Sequence, residues 1–262
     1  MFAFSAGASV GAEGVDLVPE RTRNQILAQL AVADPDVFGR LMQQLEPHPL
    51  QRGVLLGSPR AHLDFIYFID SGIVSLVAET RGGSSVDVAL VGREGVAGIA
   101  DALGRRQLPY RLVVQLPGLA YRAPRDLIRE HILSCSTLHA LLMDYSQSVM
   151  HQLAQSALCN RFHTSEQRLA RWLLLTAERA DTKRFELTHE LVAQMVGAPR
   201  SAVSESASAL RERGIIDYRR GVLTIRSTSR LHKIACECFD AVSAVNGNGA
   251  SALSRRPSAV GV

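Results

Sequence analysis

The strongest constraint on the fold is a change of period near residue 124. From 49 to 122 the chain carries short β-branched and aromatic runs at 65–69, 73–77, 86–91, 112–115 and 119–122, with apolar residues at every second position. Glycines at 53, 57, 72, 82, 83, 92, 95, 98, 104 and 118 punctuate these runs. After Pro124 the apolar spacing becomes three and four, and it stays so. Strands gathered in one stretch and helices in another exclude the alternation that builds a parallel sheet. They point to an α+β chain with an N-terminal antiparallel β-roll, jelly-roll-like, followed by helices. Asp70-Ser71-Gly72 is predicted to close one hairpin of the roll and Gly82-Gly83 a second.

Ahead of the roll, Ile26, Leu27, Leu30, Val37, Leu41 and Leu45 recur near helical spacing, broken at Asp34-Pro35, where Asp34 can cap a second helix with Pro35 in its first turn. Both ends are rich in Gly, Ala and Ser and read as unstructured. The expected division is therefore a disordered tail (1–20), a sensor domain (21–136), a linking helix (137–160), a C-terminal domain (161–235) and a second tail (236–262). No window approaches about 20 uninterrupted apolar residues, so no membrane segment is predicted and a cytoplasmic location is expected. Cys135, Cys159, Cys236 and Cys238 suggest no disulfide framework, and Cys236-x-Cys238 lacks a neighbouring His or Cys to complete a zinc set. No metal site is predicted; the thiols read as structural, with redox sensing as the alternative.

The linking helix carries Leu138, Leu142, Tyr145, Val149 and Leu153 at three-and-four spacing, opposite the polar Ser146, Gln147, His151 and Gln152. So narrow a stripe is expected to be a two-helix seam between copies of the chain, the alternative being ordinary packing onto its own domain.

Net charge is +4, but residues 160–235 hold 14 Lys or Arg against 8 Asp or Glu, so this segment carries +6 and the rest of the chain −2. A localised cationic surplus fits a module that neutralises phosphates. Within it Thr164 and Gln167 form a candidate capping box. Thr188 can cap a short helix bearing Leu191, Val192, Met195 and Val196, Gly197 permits a tight corner, and Pro199 suits a first helical turn. In the next helix Val203, Ala207 and Leu210 would face inward, which turns Arg200, Ser201, Ser204, Glu205 and Ser208 outward. A helix whose outer face is short and polar can enter a major groove about 12 Å wide. Segments 215–218 and 222–225, joined by Arg219-Arg220-Gly221, read as a wing with a cationic tip. The candidate DNA contacts are Arg200, Ser201, Ser204 and Glu205 on bases, and Thr188, Arg219 and Arg220 on phosphates.

This order of parts resembles the Crp/Fnr family of bacterial transcriptional regulators over roughly residues 21–235. The likeness rests on Phe65-Ile-Tyr-Phe-Ile-Asp-Ser-Gly72 with Ile73-Val-Ser-Leu76 in the roll. It rests more specifically on Leu191-Val-Ala-Gln-Met-Val-Gly-Ala-Pro-Arg-Ser-Ala-Val203 and Leu210-Arg-Glu-Arg-Gly-Ile-Ile216. The resemblance implies a cyclic-nucleotide-binding-like roll, a long dimerisation helix, a C-terminal winged helix-turn-helix and sequence-specific binding of a palindromic double-stranded DNA operator by a homodimer. RNA polymerase is an expected partner.

Family members that bind cyclic nucleotides use a Glu for the ribose and an Arg for the phosphate. At the aligned positions this chain has Gly98, and Gln107-Leu108 without an Arg, so the effector pocket is placed at Gly98, Gln107 and Leu108. Cyclic AMP is not expected as its ligand, because a buried phosphate without a cation is costly, although a shifted register would bring in Arg105, Arg106 or Arg111. No cofactor is predicted. An iron–sulfur cluster is not expected with no cysteine before Cys135, and His48, His62, His131 and His139 are the residues to consider for haem. Arg200 matches the start of the family's reading helix, while Ser201 and Glu205 depart from it, so the operator should differ from the familiar consensus. The alternative function is a constitutive dimer whose roll docks another protein. No motif of an enzyme is visible.

Overall fold

The computed structural model describes residues 22–59, 61–104 and 109–247. The expected tail at 1–20, the chain beyond 247, and Gln107 and Leu108 lie outside the described residues.

Helices α1 (Gln25–Ala33) and α2 (Pro35–Met42) meet at Asp34, whose carboxylate accepts from the Val37 N–H while Pro35 opens α2. Asn24 caps α1, and its buried amide also donates to the Ile69 and Gly95 carbonyls at 2.8 Å, stitching the helix to the roll. The roll comprises β1 (Glu46–Leu50), β2 (Leu55–Gly57), β3 (Phe65–Ile69), β4 (Ile73–Glu79), β5 (Ser85–Val91), β6 (Val96–Ala97), a short α3 (Ile99–Ala102), β7 (Arg111–Leu116) and β8 (Gly118–Pro124). They form two four-stranded antiparallel sheets, in the orders β1-β8-β3-β6 and β2-β7-β4-β5. Phe68, Ile66, Ile69, Val74, Leu112 and Val114 fill the space between them.

One expected hairpin is present and one is not. Gly82-Gly83 closes β4 onto β5. Asp70-Ser71-Gly72 instead carries the chain from one sheet to the other, because β3 pairs with β8 and β6 whereas β4 pairs with β5 and β7. The corner is built non-locally. Asp70 accepts from the Arg23 N–H at 2.7 Å and from the Thr22 hydroxyl, Ser71 Oγ accepts from the Leu119 N–H, and a Cβ on Gly72 would lie 2.7 Å from the Leu116 carbonyl oxygen.

Beyond the roll come α4 (Arg125–Ser134), α5 (Ser136–Phe162), α6 (Ser165–Ala180), β9 (Arg184–Glu186), α7 (His189–Val196), α8 (Arg200–Glu212), β10 (Ile216–Arg219), β11 (Val222–Ile225), α9 (Thr228–His232) and α10 (Cys238–Gly247). The chain after 235 is thus not wholly a tail. Helix α10 packs along α5 and α6, with Val242 in the C-terminal core. No helix among the described residues is long and apolar enough to cross a membrane.

The stripe expected to join two copies faces the chain's own roll. Leu138 and Leu142 are 0% exposed and Tyr145 is 6%, all within the roll's core, and Val149 and Leu153 pack against its edge. The Tyr145 ring lies where a side chain on Gly95 would stand, with Cζ only 2.1 Å from that Cβ position. A narrow apolar stripe marks a buried face but not what covers it. Here the covering surface is the β5–β6 turn and α1, and the face left open carries Ala140, Met143, Gln147, Met150, Ala154, Ala157 and Phe162.

Candidate nucleic-acid interface

The C-terminal domain is built around α6, α7 and α8. Thr164 and Gln167 form the reciprocal capping box that starts α6. Thr188 Oγ1 accepts from the Leu191 N–H and starts α7, and Gly197, at φ 65°, ends it in the left-handed conformation. Pro199 stands one position earlier than expected, as the N-cap residue of α8 and not inside its first turn. The corner between α7 and α8 is secured by Arg168, whose guanidinium donates to the Val196 and Gly197 carbonyls.

Helix α8 buries Val203, Ala207 and Leu210 against this core. Its opposite face exposes Arg200, Ser201 and Glu205 to solvent, with Ser204 and Ser208 half-buried beside them, so the outer face of α8 is polar. Ser206 is buried and its hydroxyl donates to the Ala202 carbonyl. Strands β10 and β11 pair antiparallel and β9 adds a third strand, making the wing broader than the hairpin expected from sequence. Arg220 and Gly221 form its tip, with φ of 50° and 78°, the positive values that a two-residue hairpin turn requires.

The wing's cations are held in place. Arg226 Nη2 and Arg219 Nε donate to the two Asp217 carboxylate oxygens at 2.9 and 3.1 Å, and these bonds, Arg226 first, hold the Asp217 carboxyl below the usual range. Arg219 still exposes 84% of its side chain. Tyr218 donates to the Leu187 carbonyl at 2.6 Å, fixing the wing to the entrance of α7. The exposed Arg200, Arg211, Arg219, Arg220 and Arg226 therefore belong to α8 and its adjoining wing. Thr188 stands exposed at the start of α7, with its hydroxyl engaged in capping.

The domain is joined to the roll by a buried polar contact. Arg179 on α6 is 4% exposed; it donates to the Leu90 carbonyl and to Gln152 Oε1, and its Nε lies 3.4 Å from Glu94 Oε1. Beside it Asp87 accepts from the Ser75 hydroxyl at 2.8 Å, and burial pushes its carboxyl up to about 8. Gln194 on α7 donates to Ser85 on the roll's β4–β5 hairpin.

Of the effector-pocket residues only Gly98 is described. It precedes α3 at φ 95°, and a Cβ there would meet Leu63 Cδ2 at 2.4 Å. Arg111 is turned to Glu79, 3.3 Å away.

One group of residues escaped the sequence reading. Cys159 and His163, one helical turn apart on α5, meet Cys236 and Cys238 with all four ligand atoms within 4.8 Å of one another. Cys236-x-Cys238, which sequence spacing leaves without a nearby His or Cys cluster, therefore has Cys159 and His163 beside it in space. The missing pair lies some 75 residues upstream, and the only local signals were the C-x-C and C-x-x-x-H spacings.

Residues 167–234 match the model of the Crp-like helix-turn-helix domain. None of the curated protein sequences compared matches the chain. Among solved structures, FixK2 from Bradyrhizobium japonicum superposes with a TM-score of 0.63 at 15% identity, covering 73% of this chain and 98% of that one. The c-di-GMP responsive global regulator CLP from Xanthomonas campestris gives 0.61 at 13%, covering 74% and 100%. CooA from Carboxydothermus hydrogenoformans gives 0.57 at 14%, covering 79% and 95%. At such identities the likeness is one of fold.

Proposed function

We propose that this chain, in which a Crp-like helix-turn-helix domain is joined to the β-roll architecture of Crp/Fnr regulators, controls transcription as a homodimer on a palindromic DNA operator. It is a DNA-binding regulator and not an enzyme. The observation that carries the reading is the exposed polar face of α8 beside a wing that carries Arg219 and Arg220 at and next to its tip. Arg200, at the first position of α8, is placed to reach a guanine edge, with Ser201, Ser204 and Glu205 adding contacts along the same face. Arg219 and Arg220 lie to the side, where a groove-bound helix would bring them to the phosphate backbone. Thr188 contributes at the start of α7.

The dimer seam is assigned to the open face of α5. Ala140, Met143, Gln147, Met150, Ala154 and Ala157 alternate at three and four residues, and Met150 is 68% exposed. Small residues and methionines at a heptad spacing let two helices approach closely. Two such chains present two α8 helices to half-sites about one helical turn of DNA apart. RNA polymerase is the partner such a regulator would contact. The roll is read as the element that biases this geometry, and Gly98, standing where cyclic-nucleotide binders carry a Glu, favours an effector other than cyclic AMP, or a roll that serves as a docking platform.

Selection of bound fragments from random DNA tests the reading. The expected product is an inverted repeat with half-site centres about 10 bp apart. Arg200→Ala should then lose about 1–3 kcal/mol on the selected site and relax preference at one base pair of each half-site. Recovery of single half-sites would remove the dimer, and a neutral Arg200→Ala would remove the base contact.

A further inference from the structure

We propose that Cys159, His163, Cys236 and Cys238 form a mononuclear tetrahedral site for a thiophilic divalent cation, zinc in the first instance, that clamps the joint between α5 and the C-terminal domain. Four atoms at about 2.3 Å from a common centre in tetrahedral arrangement stand about 3.7 Å apart. Here Cys159 Sγ and Cys236 Sγ are 3.5 Å apart, Cys238 Sγ and His163 Nδ1 are 3.6 Å apart, and no pair exceeds 4.8 Å. Those separations suit one ion. An iron–sulfur cluster would hold its ligating sulfurs apart by its own width. A disulfide would need a sulfur–sulfur distance of about 2.05 Å and would leave Cys238 and His163 with no role.

The imidazole is already oriented for the task. His163 Nε2 lies 3.2 Å from Glu237 Oε1, and a carboxylate can only accept, so the ring proton belongs on Nε2 and the Nδ1 lone pair faces the sulfurs. A carboxylate behind a ligating histidine is the usual outer partner at zinc. The three thiols are buried as a cluster of their own, apart from both apolar cores, and so are not filling a hydrophobic gap. Arg171 comes within electrostatic reach of Cys159 and Cys238, and its buried Nη1 has no hydrogen-bond partner among the described residues. Binding balances simply. Three thiols release three protons, neutral His163 completes the set, the ion carries 2+ against three thiolates, and the remaining single negative charge faces Arg171.

The position gives the site its consequence. His163 is the residue where α5 ends in extended backbone, immediately before the Thr164 cap of α6. Cys236 and Cys238 lie just beyond the stretch that matches the Crp-like domain, at the start of α10. An ion here ties the last turn of α5 to α10 across the hinge, and so sets the angle at which α6 and the reading helix leave α5. The inference stands on these four residues and does not depend on the DNA reading.

The test is metal analysis of the full chain purified under reducing conditions without a metal-affinity step, with Cys159→Ser, Cys238→Ser and Cys135→Ser beside it. Cys135 caps the far end of α5, where serine serves equally, so that variant is the control. The expected result is one equivalent of zinc in the wild type and Cys135→Ser, and at least a tenfold loss in the other two. If those variants fail to fold, Co(II) titrated into chelator-treated wild type decides. Tetrahedral ligand-field bands with thiolate charge transfer, at one equivalent, and a melting temperature raised by about 5 °C or more, support the site. Wild type holding under a tenth of an equivalent, an octahedral cobalt spectrum, equal loss in Cys135→Ser, iron with acid-labile sulfide, or a Cys159–Cys236 disulfide in the reduced preparation would each overturn it.

Discussion

Arginine is used in two opposite ways on the two sides of the C-terminal domain. On the side facing the roll, Arg179 is buried and its guanidinium is taken up by Leu90, Gln152 and Glu94. On the side facing solvent, Arg200, Arg219 and Arg220 stand exposed, Arg219 resting lightly on Asp217. A guanidinium surrounded by the protein's own acceptors fixes geometry and has nothing left for a partner. One presented at the rim of a polar helix face keeps its donors for phosphate or base. The same side chain is thus a mortise at one face and is offered to solvent at the other, and burial separates the two.

The largest way to break that comparison is to empty the joint. Arg179→Ala leaves the Glu94 carboxylate and the Gln152 amide buried without their shared partner. Removing one member of a buried ion pair typically destabilises by about 3–5 kcal/mol. Urea denaturation of the full chain should show a loss of that size, whereas Arg200→Ala should leave stability nearly unchanged. A loss below about 1 kcal/mol for Arg179→Ala would mean that apolar contacts of Ile73, Leu90 and Leu116 with α6 hold the joint by themselves.

A second effect, read against pH, comes from Asp87 in the same joint. Burial is the main cause of its raised value, opposed by the Ser75 hydroxyl, by Trp172 and by the charges of Arg171 and Arg179, which are the groups that face it. In the unfolded chain the carboxyl titrates near 3.8, in the folded chain near 8. Below the first value both forms are protonated. Between the two only the folded chain keeps the proton, so stability falls as pH rises through that window and the full cost is present above it. Asp87→Asn, which is neutral throughout, should flatten the pH dependence of melting between about pH 4 and 8 and be the more stable of the two proteins above that window. Parallel curves for the two proteins across that range would show that Asp87 is ionised in the fold.

The two sides also differ in how much of them could be read from the chain alone. The capping box at Thr164 and Gln167, the cap at Thr188, the corner at Gly197 and the inward set Val203, Ala207 and Leu210 each depend on neighbours within a few residues. Local spacing therefore sufficed for them. Most of what local spacing does not show depends on a distant partner. Strand β1 was missed because Pro47 and Pro49 interrupt its pattern, which is tolerable only because it lies at the edge of its sheet. Asp70-Ser71-Gly72 reads as a hairpin turn because nothing local says which sheet β4 joins. The stripe on α5 marks a buried face, but its spacing does not distinguish the chain's own roll from a second copy as the surface that covers it. Arg179, one cation among many in the C-terminal half, carries no local mark of its burial, and neither does the pairing of Cys159 and His163 with Cys236 and Cys238.

The smallest predicted effect separates fold from reading at a single residue. Arg220 occupies the left-handed region at φ 50°, where an L side chain other than Asn or Gly is disfavoured, and it does so at the tip of the wing with its side chain in solvent. Its place there has no packing reason, so a contact made outside the chain is the natural reason for an arginine. Arg220→Asn should raise stability slightly, by at most about 1 kcal/mol, because asparagine accepts that backbone conformation more readily. It should at the same time weaken binding to all DNA sequences alike and lower the salt dependence of affinity by about one counterion. Thermal melts and binding titrations at several salt concentrations on one preparation check both halves. A variant that is less stable and binds equally well would place Arg220 with Arg179, as a residue the fold keeps for itself.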